Sequence, residues 1–176
     1  VVPFLREPYA SAFIALLRQY RDIVQASYTG HVHTDDYRML IDEGDIALGL
    51  QKIPPAISPI YQQNPGFQLI TYNLGTGIPT DFSTYYLVNL DQASLDVSGD
   101  WRFEYTFTDA YGLSEYSAEG VAKMVADIKA GGAAAETYRR LYMVSHGELP
   151  EKDLPAYFCA MIRLEPDAYT ECYCGG

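Results

Sequence analysis

Apolar and polar positions recur with two different periods along the chain, and the elements they predict differ before and after residue 98. Residues 8 to 22 place Phe13, Leu16, Leu17 and Tyr20 at helical spacing, with Arg18, Gln19 and Arg21 on the opposite side, which predicts an amphipathic helix. Ile23 to Tyr28 predicts a short buried strand that runs directly into Thr29-Gly30-His31. Further strands are predicted at Arg38 to Ile41, Ile46 to Leu50, Gln68 to Tyr72 and Thr84 to Leu90. Each is β-branched, aromatic or aliphatic, and Gly, Pro, Asn and Asp separate them. Pro54-Pro55-Ala56-Ile57-Ser58-Pro59, followed by Asn64-Pro65-Gly66, is too proline-rich for regular structure; it predicts a stiff loop, either the wall of a site or a plain surface connection.

The character changes at Ser98-Gly99-Asp100. One alternating strand, with Phe103, Tyr105 and Phe107 assigned to one face, gives way to helical stripes. These are Val121, Met124, Val125 and Ile128, then Tyr138, Leu141 and Tyr142, then Leu154, Tyr157, Phe158, Met161 and Ile162. Ser117 is the expected N-cap of the first helix, with Glu119 in its first turn, and Gly131-Gly132 its expected end. The pattern predicts an α+β or α/β fold, mostly β over residues 1–98 and helical over 99–176. Internal repeats and low-complexity tracts are absent from the sequence.

With 176 residues, 48% hydrophobic and 14% aromatic, the chain can bury a substantial core. The formal charge of -11, spread over short acidic stretches, argues against nucleic acid as a partner, because a phosphate-backbone binder needs clustered Lys and Arg. No apolar run approaches the roughly 18 residues of a membrane-spanning helix, so no transmembrane segment is expected. Val1-Val2-Pro3-Phe4 reads as the interior of a longer polypeptide. Cys159, Cys172 and Cys174 all lie near the C-terminus, where a disulfide, free thiols and a metal site are each compatible with the spacing.

The strongest chemical signal is Gly30-His31-Val32-His33. Two histidines one residue apart, on a loop at a strand's C-terminal end, can converge on one point as neutral imidazoles do around Zn, Mn or Fe. Taken alone the pattern is weak, since many such pairs are ordinary surface residues. Asp35 and Asp36 follow at once, either to orient a ligating histidine or simply as solvated carboxylates. His146, near the end of a helical stretch, reads as a C-terminal residue favoured by the helix dipole.

The longer context, Tyr28-Thr29-Gly30-His31-Val32-His33-Thr34-Asp35-Asp36-Tyr37-Arg38 and then Ile57-Ser58-Pro59-Ile60-Tyr61-Gln62-Gln63-Asn64-Pro65-Gly66-Phe67, resembles the C-terminal half of calcineurin-like metallophosphoesterases of the acid sphingomyelinase type. The likeness continues through Trp101 to Gly112 and from Phe158-Cys159 to Cys172. It implies the C-terminal part of a metallophosphoesterase β-sandwich with flanking helices, then a small helical C-terminal domain. It also implies two divalent metal ions, zinc first with manganese or iron as alternatives, held in part by His31 and His33. Asp36 falls where the family has an acidic residue, and Tyr61 and Asn64 would border a phosphodiester substrate, sphingomyelin-like or nucleotide-like. Val32 replaces a threonine often found there, which is not a ligand.

The family's remaining ligands come from upstream motifs that these 176 residues do not contain. The expected partner is therefore the N-terminal half of the same protein, covalent or as a separate chain, and this chain alone is expected to be inactive. The competing reading is a non-catalytic binding or interaction module that keeps the fold without the upstream ligands. Cys159 lies on the last amphipathic helix and Cys172 beyond Pro166, so the chain can fold back and pair them. That pairing is expected, with Cys174 left over, and it implies a secreted or periplasmic protein.

Overall fold

A computed structural model describes residues 5–41, 47–93, 95 and 98–175. The four residues read as chain interior, Val1 to Phe4, and the start of one predicted strand, Ile46, lie outside them. The described elements are α1 (Tyr9–Tyr20), β1 (Ser27–Tyr28), β2 (Asp36–Ile41), β3 (Ala47–Ile53), β4 (Gly66–Tyr72), β5 (Pro79–Leu87) and α2 (Leu90–Ala93). There follow β6 (Trp101–Thr106), α3 (Phe107–Tyr111), α4 (Ala118–Ala130), α5 (Ala133–Tyr142), α6 (Leu154–Ile162) and α7 (Pro166–Cys174). The fold is α+β, with two three-stranded sheets ordered β1-β3-β2 and β4-β5-β6.

In the first sheet β2 and β3 are antiparallel, and β1 adds to β3 in parallel with only Ser27 and Tyr28 paired. The predicted strand from Ile23 is therefore much shorter than its apolar content indicated: Ile23 is 75% exposed and the chain pairs only from Ser27. Leu40 pairs with Gly49 and Ile41 with Ala47, so Leu48 is the extra residue of a bulge. It packs with Ile14, Leu17 and Leu40 in a small core beneath α1. That core also corrects the face of α1. Ala10, Ile14 and Leu17 are buried, whereas Leu16 and Tyr20 of the predicted stripe face outward.

The second sheet is an antiparallel meander whose inner face meets the helices. Phe82, Tyr105, Phe107 and Tyr116 interlock there, with Phe82 5.1 Å from Tyr116 and 5.5 Å from Phe107 between ring centres. The main core continues through Tyr37, Met39 and Leu50 of the first sheet to Val121, Met124, Val125 and Ile128 of α4 and Tyr138, Leu141 and Tyr142 of α5. The helical stripes of α4 and α5 are buried as the spacing predicted. Residue 98, where the pattern changes, precedes β6, which pairs with β5; one core joins both sides of that point.

Two other expectations are corrected. Phe103 and Tyr105 do not share a face: Thr84 pairs with Tyr105 but Tyr85 with Phe103, so Glu104 is an extra residue and the alternation slips. Phe103 is 54% exposed and packs on Tyr85, whereas Tyr105 is buried. On α6, Met161 is buried but Leu154, Tyr157, Phe158 and Ile162 are only partly so. Ser117 caps α4, accepting from the Gly120 amide at 3.1 Å, and Gly131 (φ 87°) ends it. Cys159 and Cys172 form a disulfide with Cα atoms 5.8 Å apart, which staples α7 to α6 and leaves Cys174 free and exposed. Among the described residues no helix is long and apolar enough to cross a membrane.

Candidate functional site

The histidine loop is suspended between β1 and β2, and buried charges fix both its base and the neighbouring loop. Lys52, the penultimate residue of β3, is fully buried and donates to Asp35 Oδ1 and to the backbone carbonyls of Asp36 (3.0 Å) and Ile53 (3.2 Å). One ammonium thus holds the segment leaving the histidines and the segment entering Pro54-Pro55. The other Asp35 oxygen accepts from Gln68 Nε2 (3.0 Å), Tyr105 Oη (2.8 Å) and Thr84 Oγ1 (3.3 Å), so both sheets converge on one carboxylate. Burial raises the Asp35 carboxyl and lowers the Lys52 ammonium from their ordinary values, and each is the main charge opposing the other's shift. Neither aspartate is solvated, which corrects the commoner expectation for Asp35 and Asp36.

Asp36 is also a core residue. Its Oδ1 accepts from the Tyr37 amide and Tyr138 Oη, each at 2.8 Å, and its Oδ2 from Arg38 Nη1 at 2.6 Å. The carboxylate oxygens are thus occupied by β2 and α5, and Asp36 bears on the histidines through the backbone it anchors.

Above this base, His31 (φ 84°) and His33 (φ 68°) both adopt left-handed backbone conformations, at about 1 to 2 kcal/mol each for a residue with a side chain. Glycine would remove that cost. His33 Nδ1 lies 2.9 Å from the Ser58 carbonyl. A carbonyl can only accept, so Nδ1 carries the proton, and in the neutral ring Nε2 presents its lone pair. The same carbonyl accepts from Gln63 Nε2 at 2.6 Å, the Ala56 amide donates to the His33 carbonyl at 3.0 Å, and the Tyr61 ring meets the His33 ring edge-on at 5.3 Å. The proline-rich loop is therefore a wall tied to His33.

His31 opens onto two cavities. One, of about 330 Å³, is lined by His31, Val32, Thr34, Tyr61, Tyr142, Met143 and Tyr157. The other, of about 520 Å³, is mainly apolar and lies between the histidine loop, Phe13 of α1 and Leu164. Tyr61 thus stands at the site beside both histidines. Asn64 Nδ2 donates to the Val144 carbonyl at 2.8 Å and clamps the proline-rich loop to the turn after α5. Gly66 permits that clamp, since a Cβ there would stand 2.9 Å from Pro55 Cγ and 3.1 Å from Val144 Cγ1. His146 is exposed in this turn, three residues past its capping position on α5.

Lys52, Ser58, Tyr142 and Tyr157 were not singled out for the site from the sequence. Lys52 lies two residues beyond the strand predicted at Ile46 to Leu50, with nothing to mark it as buried, and Ser58 acts through its backbone. Tyr142 and Tyr157, whose rings meet at 5.0 Å, carry a helical core period that hides their second role as cleft lining. The donors present fit a metal in part. Two histidines, one with its tautomer fixed, are nitrogen ligands of the type Zn, Mn and Fe accept. Among the described residues no group of three or more His, Cys, Asp or Glu side chains gathers to complete a site.

A family model described as "Acid sphingomyelin phosphodiesterase C-terminal region" matches residues 52–175. The chain is 28% identical over 180 residues to human "Acid sphingomyelinase-like phosphodiesterase 3b", covering 96% of this chain and 39% of that protein. It is 28% identical over 182 residues to the rat protein named "Cyclic GMP-AMP phosphodiesterase SMPDL3A", covering 97% of this chain and 40% of the relative. "Sphingomyelin phosphodiesterase B" of Dictyostelium discoideum is 22% identical over 183 residues, or 98% of this chain and 29% of its own length. The chain therefore spans 40% or less of the length of these relatives.

Proposed function

From the premise that this chain belongs to the acid sphingomyelin phosphodiesterase C-terminal region family, we propose that it is the C-terminal portion of a dinuclear-metal phosphodiesterase, to which it contributes His31 and His33 as ligands. The observation that carries this reading is the pair of left-handed histidines, one of them anchored through Nδ1 to the Ser58 carbonyl. A side chain kept at a position where glycine is favoured, and turned so that Nε2 is left as a lone-pair donor, is what a metal ligand requires. The remaining ligands, carboxylates included, come from the N-terminal half of the protein. The two sheets are the C-terminal part of a β-sandwich which that half completes.

Two divalent ions bound there, zinc or alternatively manganese or iron, would supply polarisation of phosphoryl oxygens and a hydroxide at neutral pH. His31 and His33 would hold them with nitrogen lone pairs, and the Ser58 carbonyl keeps the His33 ring from rotating. Tyr61 shields the edge of that ring and borders the cleft, whose other side is Tyr142, Met143 and Tyr157. The Lys52 to Asp35 pair holds the loop in place, so ligation need not order it. The relatives' names point to phosphodiesters as different as sphingomyelin and cyclic GMP-AMP, and the substrate is proposed here only as a phosphodiester. The Cys159 to Cys172 bond supports an oxidising location, secreted or periplasmic.

The test uses a longer polypeptide carrying the upstream motifs, or this chain with the N-terminal half supplied separately. Metal-dependent hydrolysis of a phosphodiester is expected there, with His31→Ala and His33→Ala each abolishing turnover and lowering bound metal, and His146→Ala changing neither. The 176-residue chain alone is expected to bind metal weakly and to hydrolyse nothing. Full activity with both histidines replaced overturns the ligand assignment, and no activity with the upstream half restored favours the non-catalytic module.

A further inference from the structure

Glu104 is a carboxylate that the proposed site does not use. The bulge makes it the extra residue between Phe103 and Tyr105, and its side chain is partly buried. Oε1 accepts a hydrogen bond from Ser145 Oγ at 2.8 Å, while Oε2 is buried without a hydrogen-bond partner. Ser145 belongs to a strained turn: it has φ 57° and Val144 before it φ 53°, and a β-branched residue in the left-handed region persists only where its surroundings hold it. Besides the backbone hydrogen bonds within the turn and the burial of Val144, three hydrogen bonds from other segments do so. The Asp35 amide donates to the Tyr142 carbonyl at 3.1 Å, Asn64 Nδ2 to the Val144 carbonyl at 2.8 Å, and Ser145 to Glu104. The first ties the turn to the histidine loop, the second to the proline-rich loop and the third to β6. Tyr142 and Met143, where the turn begins, line the same cleft as His31 and Tyr61.

We propose that Glu104 is a protonation-controlled latch: uncharged, it keeps the 142–147 turn seated against β6, and its ionisation frees Ser145 and loosens that wall of the histidine cleft. The charged groups facing it are Asp35 at the entry to β2, Lys52 on β3 and Arg140 on α5, together with the Ser145 hydroxyl. Burial first, and the Asp35 charge second, raise the Glu104 carboxyl to about 7; the Ser145 hydrogen bond and the charges of Arg140 and Lys52 oppose this without cancelling it. The folded value lies above the unfolded one, so the stabilisation is fully present below the ordinary carboxyl range and is lost as pH rises through about 7. Once ionised, a buried carboxylate with an unpartnered oxygen recovers hydration only by moving outward, and its proton passes to solvent. The strained turn then keeps two of those three hydrogen bonds from other segments. The inference concerns the chain's own fold and does not rest on the metal assignment.

The test is amide hydrogen exchange on the 176-residue chain at about pH 5.5 and about pH 8.5, corrected for the intrinsic pH dependence of exchange. Protection over 142–147 is expected to fall by on the order of tenfold or more at the higher pH, while α4 is unchanged. In Glu104→Gln, which cannot ionise, protection of the turn is expected to be the same at both pH values. Should that variant fail to fold, Ser145→Ala, which removes the hydrogen bond from the other side, is expected to abolish the same pH dependence. The Glu104 carboxyl carbon, followed by NMR in the unaltered chain, is expected to titrate near neutrality. Equal protection at both pH values in the unaltered chain, an unchanged pH response in a folded variant, or a titration in the ordinary carboxyl range overturns the latch.

Discussion

Replacing Asp36 by alanine separates a residue that shapes the histidine loop through a buried anchor from one that acts on a ligand directly. In the folded chain its carboxylate meets Arg38 at 2.6 Å, with side chains only 1% and 2% exposed, and also accepts from Tyr138 Oη and the Tyr37 amide. Asp36→Ala leaves a guanidinium buried without that charge and takes an acceptor from the tyrosine. Breaking a buried pair from one side costs about 3 to 5 kcal/mol, a large part of the roughly 5 to 15 kcal/mol that separates folded from unfolded domains. At roughly 2 to 4 °C per kcal/mol for a chain of this size, the melting temperature should fall by roughly 6 to 20 °C. Urea unfolding followed by circular dichroism, with an unchanged denaturant slope, measures the loss as a shift in midpoint. The double variant Asp36→Leu with Arg38→Met removes both charges into similar volumes and should recover most of the loss, because the penalty lies in the orphaned charge. A loss under about 1 kcal/mol in the single variant, or a double variant no better than the single one, refutes this account of Asp36.

Other expectations follow from the same geometry. Phe82→Ala, at the centre of the aromatic cluster, should cost about 3 to 5 kcal/mol in thermal or urea unfolding; Phe158→Ala, only partly buried, should cost roughly half as much, and equal losses would contradict the observed difference in burial. Cys172→Ser, or reduction, should lower stability by about 3 kcal/mol, the chain-entropy value for a loop of roughly 15 residues, read as a midpoint shift between reduced and oxidised chain. At His31 the glycine variant should be about 1 kcal/mol more stable than the alanine variant, since only alanine bears the left-handed penalty; a more stable alanine variant would disprove the strain. Ser117→Ala should cost about 1 kcal/mol through loss of the α4 cap.

What was legible in the sequence is what depends on local period and punctuation. The stripes of α4 and α5, the Ser117 cap, the Gly131 stop, four of the strands and the irregular proline-rich loop all rest on residues within a few positions of one another. The Cys159 to Cys172 bond was legible because a short fold-back after Pro166 limits where the tail can go.

Tertiary structure decided whatever depended on a partner distant in sequence. Ile23 is apolar enough for a strand, yet β3 pairs only with Ser27 and Tyr28, so Ile23 stays exposed. Phe103 and Tyr105 alternate as one face until the bulge at Glu104 separates them, and a bulge is defined by the facing strand rather than by its own residues. Asp35 and Asp36 look like solvated or ligand-orienting carboxylates in the sequence. They become buried anchors because Lys52, Gln68, Thr84, Tyr105 and Tyr138 arrive from five other points of the chain, to which Arg38 adds from two residues along β2. A period of 2 or 3.6 tells which side of an element is apolar, but the charge a carboxylate meets, and whether water reaches it, is fixed only when separate elements close over it.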